Sequence, residues 1–445
     1  MTKRVLRFAP SPTGYLHVGN IRTALFNYLQ AKKIGAEFIL RLDDTDHERS
    51  SQYFIDHIKR DLDWLGINWD RIEQQSLRIE RYRDVLTKLG HKNLVYECFE
   101  TSSELEIKRK KQQKMGLPPV YDREALKLSI SEKDALRNKN DSHWRFLLSG
   151  ENVTWHDEIA GEIKVRTSVV SDPILVKGNG QFLYTLASVI DDSDFGVTDV
   201  VRGIDHLTNT AVQIEIFKSL FSPIPVFGHH SLIVDSSGEN FSKRTGSLSI
   251  KSLREAGIEP GAIVSKLVSL GTGDGLELKS HIDGFTRNFS LGKFSSAPVR
   301  FEKEVLDTIS RKLLSNLNVD QISEFLDVTG VPNELKEDFW IMAKDNINTK
   351  EELADFWALC KDGVYSPVIA SGDEEFIDVA ISLIGEYPRE KDSWQKLTEE
   401  LKNITGRSGK DLFKPLRYFL TGKSDGPDMR KLFPLMQKIR KPGSR

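Results

Sequence analysis

Apolar and polar positions are most legible at the start of the chain. Residues 5–9 form a short apolar run, ended by the helix- and strand-breaking Pro10 and Pro12 and by a turn at Gly14. From Asn20 to Lys33 the apolar residues Ile21, Ala24, Leu25, Tyr28 and Leu29 recur at helical spacing. Asn20 is placed to cap this helix and Gly35 to end it. Residues 38–42 form a second apolar strand, with Asp43, Asp44 and Asp46 just beyond. Strand, turn, helix and strand in that order predict a βαβ unit and a parallel sheet.

Further along, residues 52–65 read as an amphipathic helix, and residues 104–114 as a highly charged stretch closed by turns at Gly116, Pro118 and Pro119. Between 145 and 190 the runs RFLLS, EIKVR, PILVK and FLYTLASVI all look strand-like, as do FGVTDVVR and IPVFGHHSLIV after them. Beyond Lys251 the pattern turns mainly helical, which places the major boundary between 295 and 320.

Composition narrows the class. The chain has 445 residues, of which 39% are hydrophobic and 29% charged, so it reads as globular rather than disordered. Its length suggests roughly three domains. Lys and Arg total 63 against 65 acids, a net charge of -2. That balance excludes a uniformly basic nucleic-acid coat but leaves room for local patches. Cys98 and Cys360 are too few for a disulfide framework, which points to a reducing compartment, and neither belongs to a CxxC, which excludes a four-cysteine zinc site. No signal-peptide-like region and no membrane-length apolar run is present, so the expected location is cytoplasmic, away from membranes.

Two segments carry candidate chemistry. PSPTGYLHVGN (10–20) joins a strand to a helix start, where free N–H groups and the helix dipole suit an anion. His17 can donate to phosphate oxygens, and Gly19 lets a base or phosphate approach the backbone. NFSKR (240–244) lies in a Gly- and Ser-rich setting, with Lys243 a point cation and Ser242 a donor. Walker A and dinucleotide fingerprints are absent.

Together these segments resemble the signatures of class I aminoacyl-tRNA synthetases, HVGN the HIGH motif and NFSKR the KMSKS motif. The stretches ILRLDDTD, DLDWLGINWD, FLYTLASVIDD, DVVRGIDHLTNT and PLRYFLTG extend the likeness, in order, to the bacterial glutamyl-tRNA synthetases. The resemblance implies an α/β fold: a Rossmann-like parallel-sheet catalytic domain with an inserted acceptor-binding domain, followed by an all-helical anticodon-binding region. The implied plan is a split catalytic domain at 1–90 and 185–252, an insertion at 91–184, a stem-contact region at 253–315 and an anticodon-binding domain at 316–445.

The activity implied is ATP-dependent ligation of L-glutamate to tRNA(Glu) through a glutamyl-adenylate, with tRNA(Gln) charged in addition or instead as an open alternative. By resemblance, Pro10, Ser11, Pro12, Thr13, Gly14, Tyr15, Leu16, His17, Val18, Gly19 and Asn20 bind ATP, with Asn240, Phe241, Ser242, Lys243 and Arg244 on its other side. His17 and Lys243 are the implied catalytic pair, and Mg²⁺ accompanies the ATP. Arg7, Ser11, Asp43, Tyr184, Ser188 and Arg202 are the implied glutamate-binding residues.

Some positions depart from the family pattern. Asp43 stands where glutamate is usual, Ser188 where asparagine is common, and Asn240 where the first lysine of the loop motif stands. Some bacterial members hold zinc in the insertion. Here only Cys98 and Tyr121 match, with Glu100 and Ala125 at the other two positions, so no structural zinc is expected. The implied RNA surface draws on residues 108–114, on Arg407, Lys410, Lys414 and Arg417, and on Arg430, Lys431, Lys438, Arg440, Lys441 and Arg445. The implied state is a monomer. Rival readings are a glutaminyl-tRNA synthetase, a truncated paralogue that glutamylates queuosine, and a non-catalytic tRNA-binding paralogue. The long region beyond the catalytic core weighs against the second. Retention of Arg7, His17 and Lys243 weighs against the third.

Overall fold

The computed structural model describes residues 3–139, 141–235, 238, 248–365, 367 and 369–440. The chain divides into two compact units, Met1–Arg254 with Ile263–Lys303, and Glu255–Ala262 with Glu304–Arg445. The first unit closes at Lys303.

In chain order the first unit holds β1 (Val5–Phe8), α1 (Val18–Ile34), β2 (Glu37–Leu42), α2 (Gln52–Trp64), β3 (Arg71–Gln74) and α3 (Ile79–His91). Next come β4 (Val95–Cys98), α4 (Ser102–Lys114), α5 (Ile130–Arg137), β5 (His143–Phe146), β6 (Asn152–Asp157), β7 (Gly161–Arg166) and β8 (Ile174–Val176). They are followed by α6 (Tyr184–Asp194), β9 (Asp199–Gly203), α7 (Leu207–Ser219) and β10 (Val226–His230). The main sheet runs β3-β2-β1-β9-β10-β6-β7. All its pairings are parallel except the β6–β7 hairpin. The predicted βαβ unit is therefore present, with Val5 opposite Glu37. A separate three-stranded antiparallel sheet, β4-β5-β8, comes from the segment expected to be an insertion. The β6–β7 hairpin comes from that segment too, yet it pairs with the main sheet, Asp157 lying opposite Phe227.

Chain order reverses at β1, which has β2 on one side and β9 on the other. In open α/β sheets such a switch point opens a crevice at the carboxyl ends of the strands, and ligands bind there. Arg7 lies near that end of β1, and Arg202 near that end of β9.

FLYTLASVI is not a strand. Its core is α6, and residues 186–192 are buried without a break. A helix buried on every side shows no polar stripe, so a short apolar run looks the same for helix and strand. Leu186, Ala187, Val189 and Ile190 pack with Ile39, Val200, Ile214 and Phe217.

The second unit, from Glu304 onward, is helical among its described residues, with helices such as Val319–Thr329, Glu374–Ile384 and Lys410–Thr421. Its own core includes Phe339, Trp357, Leu397, Leu416 and Phe433. No described helix is long and apolar enough to cross a membrane.

Candidate active site

The cleft at the switch point has a volume of about 530 Å³. Of the residues expected to bind ATP, it is lined by Pro10, Ser11, Gly14, Tyr15, Leu16, His17, Gly19 and Asn20. Pro12, Thr13 and Val18 are not among its lining residues. Val18 is fully buried as the first residue of α1, and the Pro12 carbonyl accepts from the Ser51 amide. Asn240, Phe241, Ser242, Lys243 and Arg244 lie outside the described residues. The chain that follows them returns to the cleft: the Ile250 amide donates to the Leu16 carbonyl, and Ser249 bridges to His17.

The cap of α1 falls at His17 rather than at Asn20. His17 is extended, its Nδ1 accepts from the Gly19 amide at 3.1 Å, and Asn20 Oδ1 accepts from the His17 amide at 3.1 Å. Asn20 thus closes a capping box from inside the helix. With Nδ1 an acceptor, the neutral imidazole carries its proton on Nε2. A Cβ at Gly19 would lie 3.0 Å from both Cε1 and Nδ1 of His17. The glycine is what allows the ring to fold over the helix start.

Arg7 and Arg41 sit in an ionic floor. Arg7 donates from Nε and Nη2 to Asp192 at 3.1 and 3.3 Å. Arg41 donates to both oxygens of Asp43 at 2.7 and 3.2 Å, and to Asp192 at 2.6 Å. Behind them Asp191 accepts from Gln75, Arg78 and Tyr82. Burial raises the Asp43 carboxyl to about 6, with Arg41 acting in the opposite direction. Burial also penalises the Asp192 charge, but Arg7 and Arg41 more than offset it and hold its carboxyl below the usual range.

Arg202, on the neighbouring strand β9, also lines the cleft and is 5% exposed. Nη1 donates to the Tyr184 hydroxyl at 2.6 Å, and Nη2 to Thr210 Oγ1 and Gln213 Oε1, each at 2.6 Å. Nε faces His229 Nε2 at 3.4 Å. Among the described residues no carboxylate lies within salt-bridge reach of it.

Arg7, Ser11, Asp43, Tyr184 and Arg202 all line the cleft. Ser188 does not. It is fully buried, and its hydroxyl accepts from Gln213 Nε2 at 2.7 Å. Sequence reasoning missed His206, His229, Gln213 and Asp157. His206 lines the cleft, and its imidazole is lowered to about 4, first by burial and then by Arg202. The run FGHHS did place two histidines at a strand end, but nothing in it showed which faced Arg202.

In the segment between β3 and α6, Cys98, Glu100 and His143 bring ligand atoms within 4.8 Å of one another. His143 adds a donor that the sequence pattern did not suggest. The cluster fits a cation poorly. Arg145 donates from Nε to His143 Nε2 at 3.3 Å, and its guanidinium lies 4.2 Å from the centre of the Tyr121 ring. Burial pushes the Cys98 thiol up to about 11.

The expected basic runs are partly committed within the fold. Lys108 pairs with Glu100, Asp122 and Glu124, and Arg430 with Asp428. In the second unit Arg407, Lys410, Lys414 and Tyr418 line one surface cleft. Lys441 and Arg445 lie outside the described residues.

Residues 3–308 match the family model described as tRNA synthetases class I (E and Q), catalytic domain. The chain is 50% identical over 444 residues to glutamate–tRNA ligase 1 of Ruegeria pomeroyi, with 100% of each covered. It is 50% identical over 438 residues to glutamate–tRNA ligase 2 of Ruegeria sp. (strain TM1040), covering 98% of this chain and 99% of that one. The crystal structure of a glutamate tRNA ligase from Elizabethkingia meningosepticum in complex with its amino acid superposes with a TM-score of 0.82 at 25% identity. That match covers 98% of this chain and 97% of the other. With the cleft at the sheet's switch point and the match spanning the whole catalytic segment, this chain belongs to the class I tRNA synthetases (E and Q).

Proposed function

We propose that the chain is a glutamate–tRNA ligase that joins L-glutamate to tRNA(Glu) at the expense of ATP. The observation that carries this reading is one cleft that combines the His17-capped start of α1 with the buried, acid-free Arg202. Full-length relatives carrying that ligase name support it.

In the first step the glutamate carboxylate attacks the α-phosphate of ATP, giving glutamyl-adenylate and pyrophosphate. In the second the glutamyl group passes to the terminal adenosine of the tRNA. Such chemistry depends on positioning and on neutralising phosphate charge. His17 Nε2–H is the donor to phosphate oxygens at the positive end of α1. Lys243 supplies the cation on the other side and steadies the departing pyrophosphate; Mg²⁺ comes with the ATP. Arg202 and Tyr184 take one carboxylate of the amino acid, Arg7 the other, and Asp43 the ammonium, with Ser11 at the rim. Ser188 acts through Gln213 rather than by contact.

The domain roles follow the family plan: acceptor-stem contact in the 91–184 segment, a stem-contact region to about 315, and anticodon reading in the helices beyond. The Arg407, Lys410 and Lys414 cleft is the proposed basic part of that last surface. The enzyme is a cytoplasmic monomer without structural zinc, and the Arg145 guanidinium beside His143 supports the latter point. Elemental analysis of protein purified without added metal should return no stoichiometric zinc.

The deciding experiment is ATP-dependent aminoacylation with radiolabelled glutamate and separately purified tRNA(Glu) and tRNA(Gln). Charging of tRNA(Glu) is expected, and charging of tRNA(Gln) would extend the substrate range. Glutamine attached in place of glutamate would overturn the reading.

A further inference from the structure

Arg202 is a donor-only group, and four of its five N–H bonds are directed at neutral acceptors: His229 Nε2, Tyr184 Oη, Thr210 Oγ1 and Gln213 Oε1. For His229 Nε2 to accept, that nitrogen must be bare. On the opposite edge of the ring, His229 Nδ1 lies 2.5 Å from Asp157 Oδ2, and a carboxylate can only accept. The two constraints agree on one species, a neutral imidazole protonated at Nδ1. Asp157 is itself fixed, since its Oδ1 accepts from the amides of His229, Ile159 and Ala160 at 2.9, 3.1 and 2.9 Å. Burial raises the Asp157 carboxyl, but His229 and the amides more than offset this and bring it to about 2. His229 and Asp157 are 0% and 1% exposed and do not line the cleft. Among the described residues they act on the cleft through Arg202, directly and through Thr210, whose Oγ1 lies 2.8 Å from His229 Nε2 and accepts from Arg202.

Topology makes this contact possible. The β6–β7 hairpin, from the segment otherwise set apart as an insertion, pairs with β10 and brings Asp157 beside the strand that carries His229. In the next register pair, His229 lies opposite Arg202.

We propose that Asp157 and His229 are positioning residues for amino-acid recognition. Asp157 sets the His229 tautomer, His229 with Thr210 and Gln213 fixes the Arg202 fork, and none of the groups that hold Arg202 cancels its charge. An acid in place of His229 would form an internal ion pair and remove the cation from the cleft. The neutral imidazole orients Arg202 and leaves its charge for a substrate carboxylate. This inference rests on the assignment of Arg202 to the glutamate carboxylate.

The test is steady-state aminoacylation of tRNA(Glu) by Asp157→Asn, His229→Gln and Arg202→Ala. Asparagine can donate to Nδ1 and so favours the tautomer in which Nε2–H opposes Arg202. Asp157→Asn and His229→Gln should each raise the glutamate KM about tenfold, the scale of one buried donor left unsatisfied. The ATP KM and kcat should stay within about twofold, the pattern of lost substrate binding. NMR of isotope-labelled histidine, with the His229 signal assigned by its loss in His229→Gln, should show Nδ1–H in the native enzyme and its loss in Asp157→Asn. A glutamate KM unchanged in both variants, while Arg202→Ala raises it, overturns the positioning role. Equal losses in kcat and in both KM values, with a lower melting temperature, would mark the dyad as merely structural and also overturn it. An unchanged glutamate KM in Arg202→Ala overturns the Arg202 assignment, and this inference with it.

Discussion

Two arginines reach the same cleft from neighbouring strands, Arg7 on β1 and Arg202 on β9, and they are held in opposite ways. Arg7 shares the Asp192 carboxylate with Arg41, in a floor where two arginines face Asp43, Asp191 and Asp192. Arg202 is just as buried but is held by two hydroxyls, an amide and an imidazole. A buried charge must be hydrogen-bonded, yet it need not be neutralised by the protein itself. Where fixed carboxylates share it, the arginine is anchored and offers a ligand only part of its charge. Where only neutral acceptors hold it, its charge remains for a ligand. Burial lowers the Arg202 pKa, whereas the floor's acids take that of Arg41 well above the ordinary value despite burial.

Breaking each side separately should give different losses. Arg41→Met leaves Asp43 and Asp192 without their shared cation and should cost about 3–5 kcal/mol of stability in chemical denaturation. Arg202→Met leaves no buried acid behind. Its stability loss should be about 1–2 kcal/mol. Its glutamate KM should rise about a hundredfold, as expected when one member of a desolvated charged contact is truncated. Equal stability losses in the two variants would abolish the distinction.

A smaller effect sharpens the floor's role. The Asp43 carboxyl titrates near 6 in the folded protein against an ordinary value of 3.8. Between these values the folded state binds the extra proton, so this group's contribution to stability falls as pH rises through that window. The charge that would meet the substrate ammonium is present only above it. Glutamate kcat/KM should therefore be level above pH 7 and fall about tenfold per unit below pH 6, and Asp43→Asn should remove that step. Arg41, Arg7 and Asp191 surround Asp43, and His206, which lines the same cleft, is lowered to about 4, at the low end of this window. The smallest effect expected is at the helix start. Gly19→Ala displaces the His17 ring and should lower kcat about tenfold through misplacement, with melting temperature nearly unchanged.

Much of this site was legible before the fold was known. The βαβ start, the turn before α1, the C-terminal glycine at position 35 and the cleft residues Arg7, His17, Asp43, Tyr184 and Arg202 all follow from local pattern or family resemblance. Local pattern misplaced the α1 cap, because both His17 and Asn20 can accept a hydrogen bond and only the extended backbone at His17 distinguishes them. It also read α6 as a strand, because burial on all sides erased the helical period. Ser188 looked like a contact residue by position, but Gln213 stands between it and Arg202.

The sequence alone determined the chemistry available: a strand-to-helix phosphate turn, arginines at strand ends, and too few cysteines for a metal framework. Local chemistry of this kind depends on residue type and short spacing, which a linear chain displays. Only the tertiary structure decided which charges are cancelled. Arg7 and Asp192 are 185 positions apart, and His229 and Asp157 are 72 apart. Whether a buried guanidinium meets a carboxylate or a neutral ring depends on sheet order and register, which bring distant residues within about 3 Å, the range where a hydrogen bond forms.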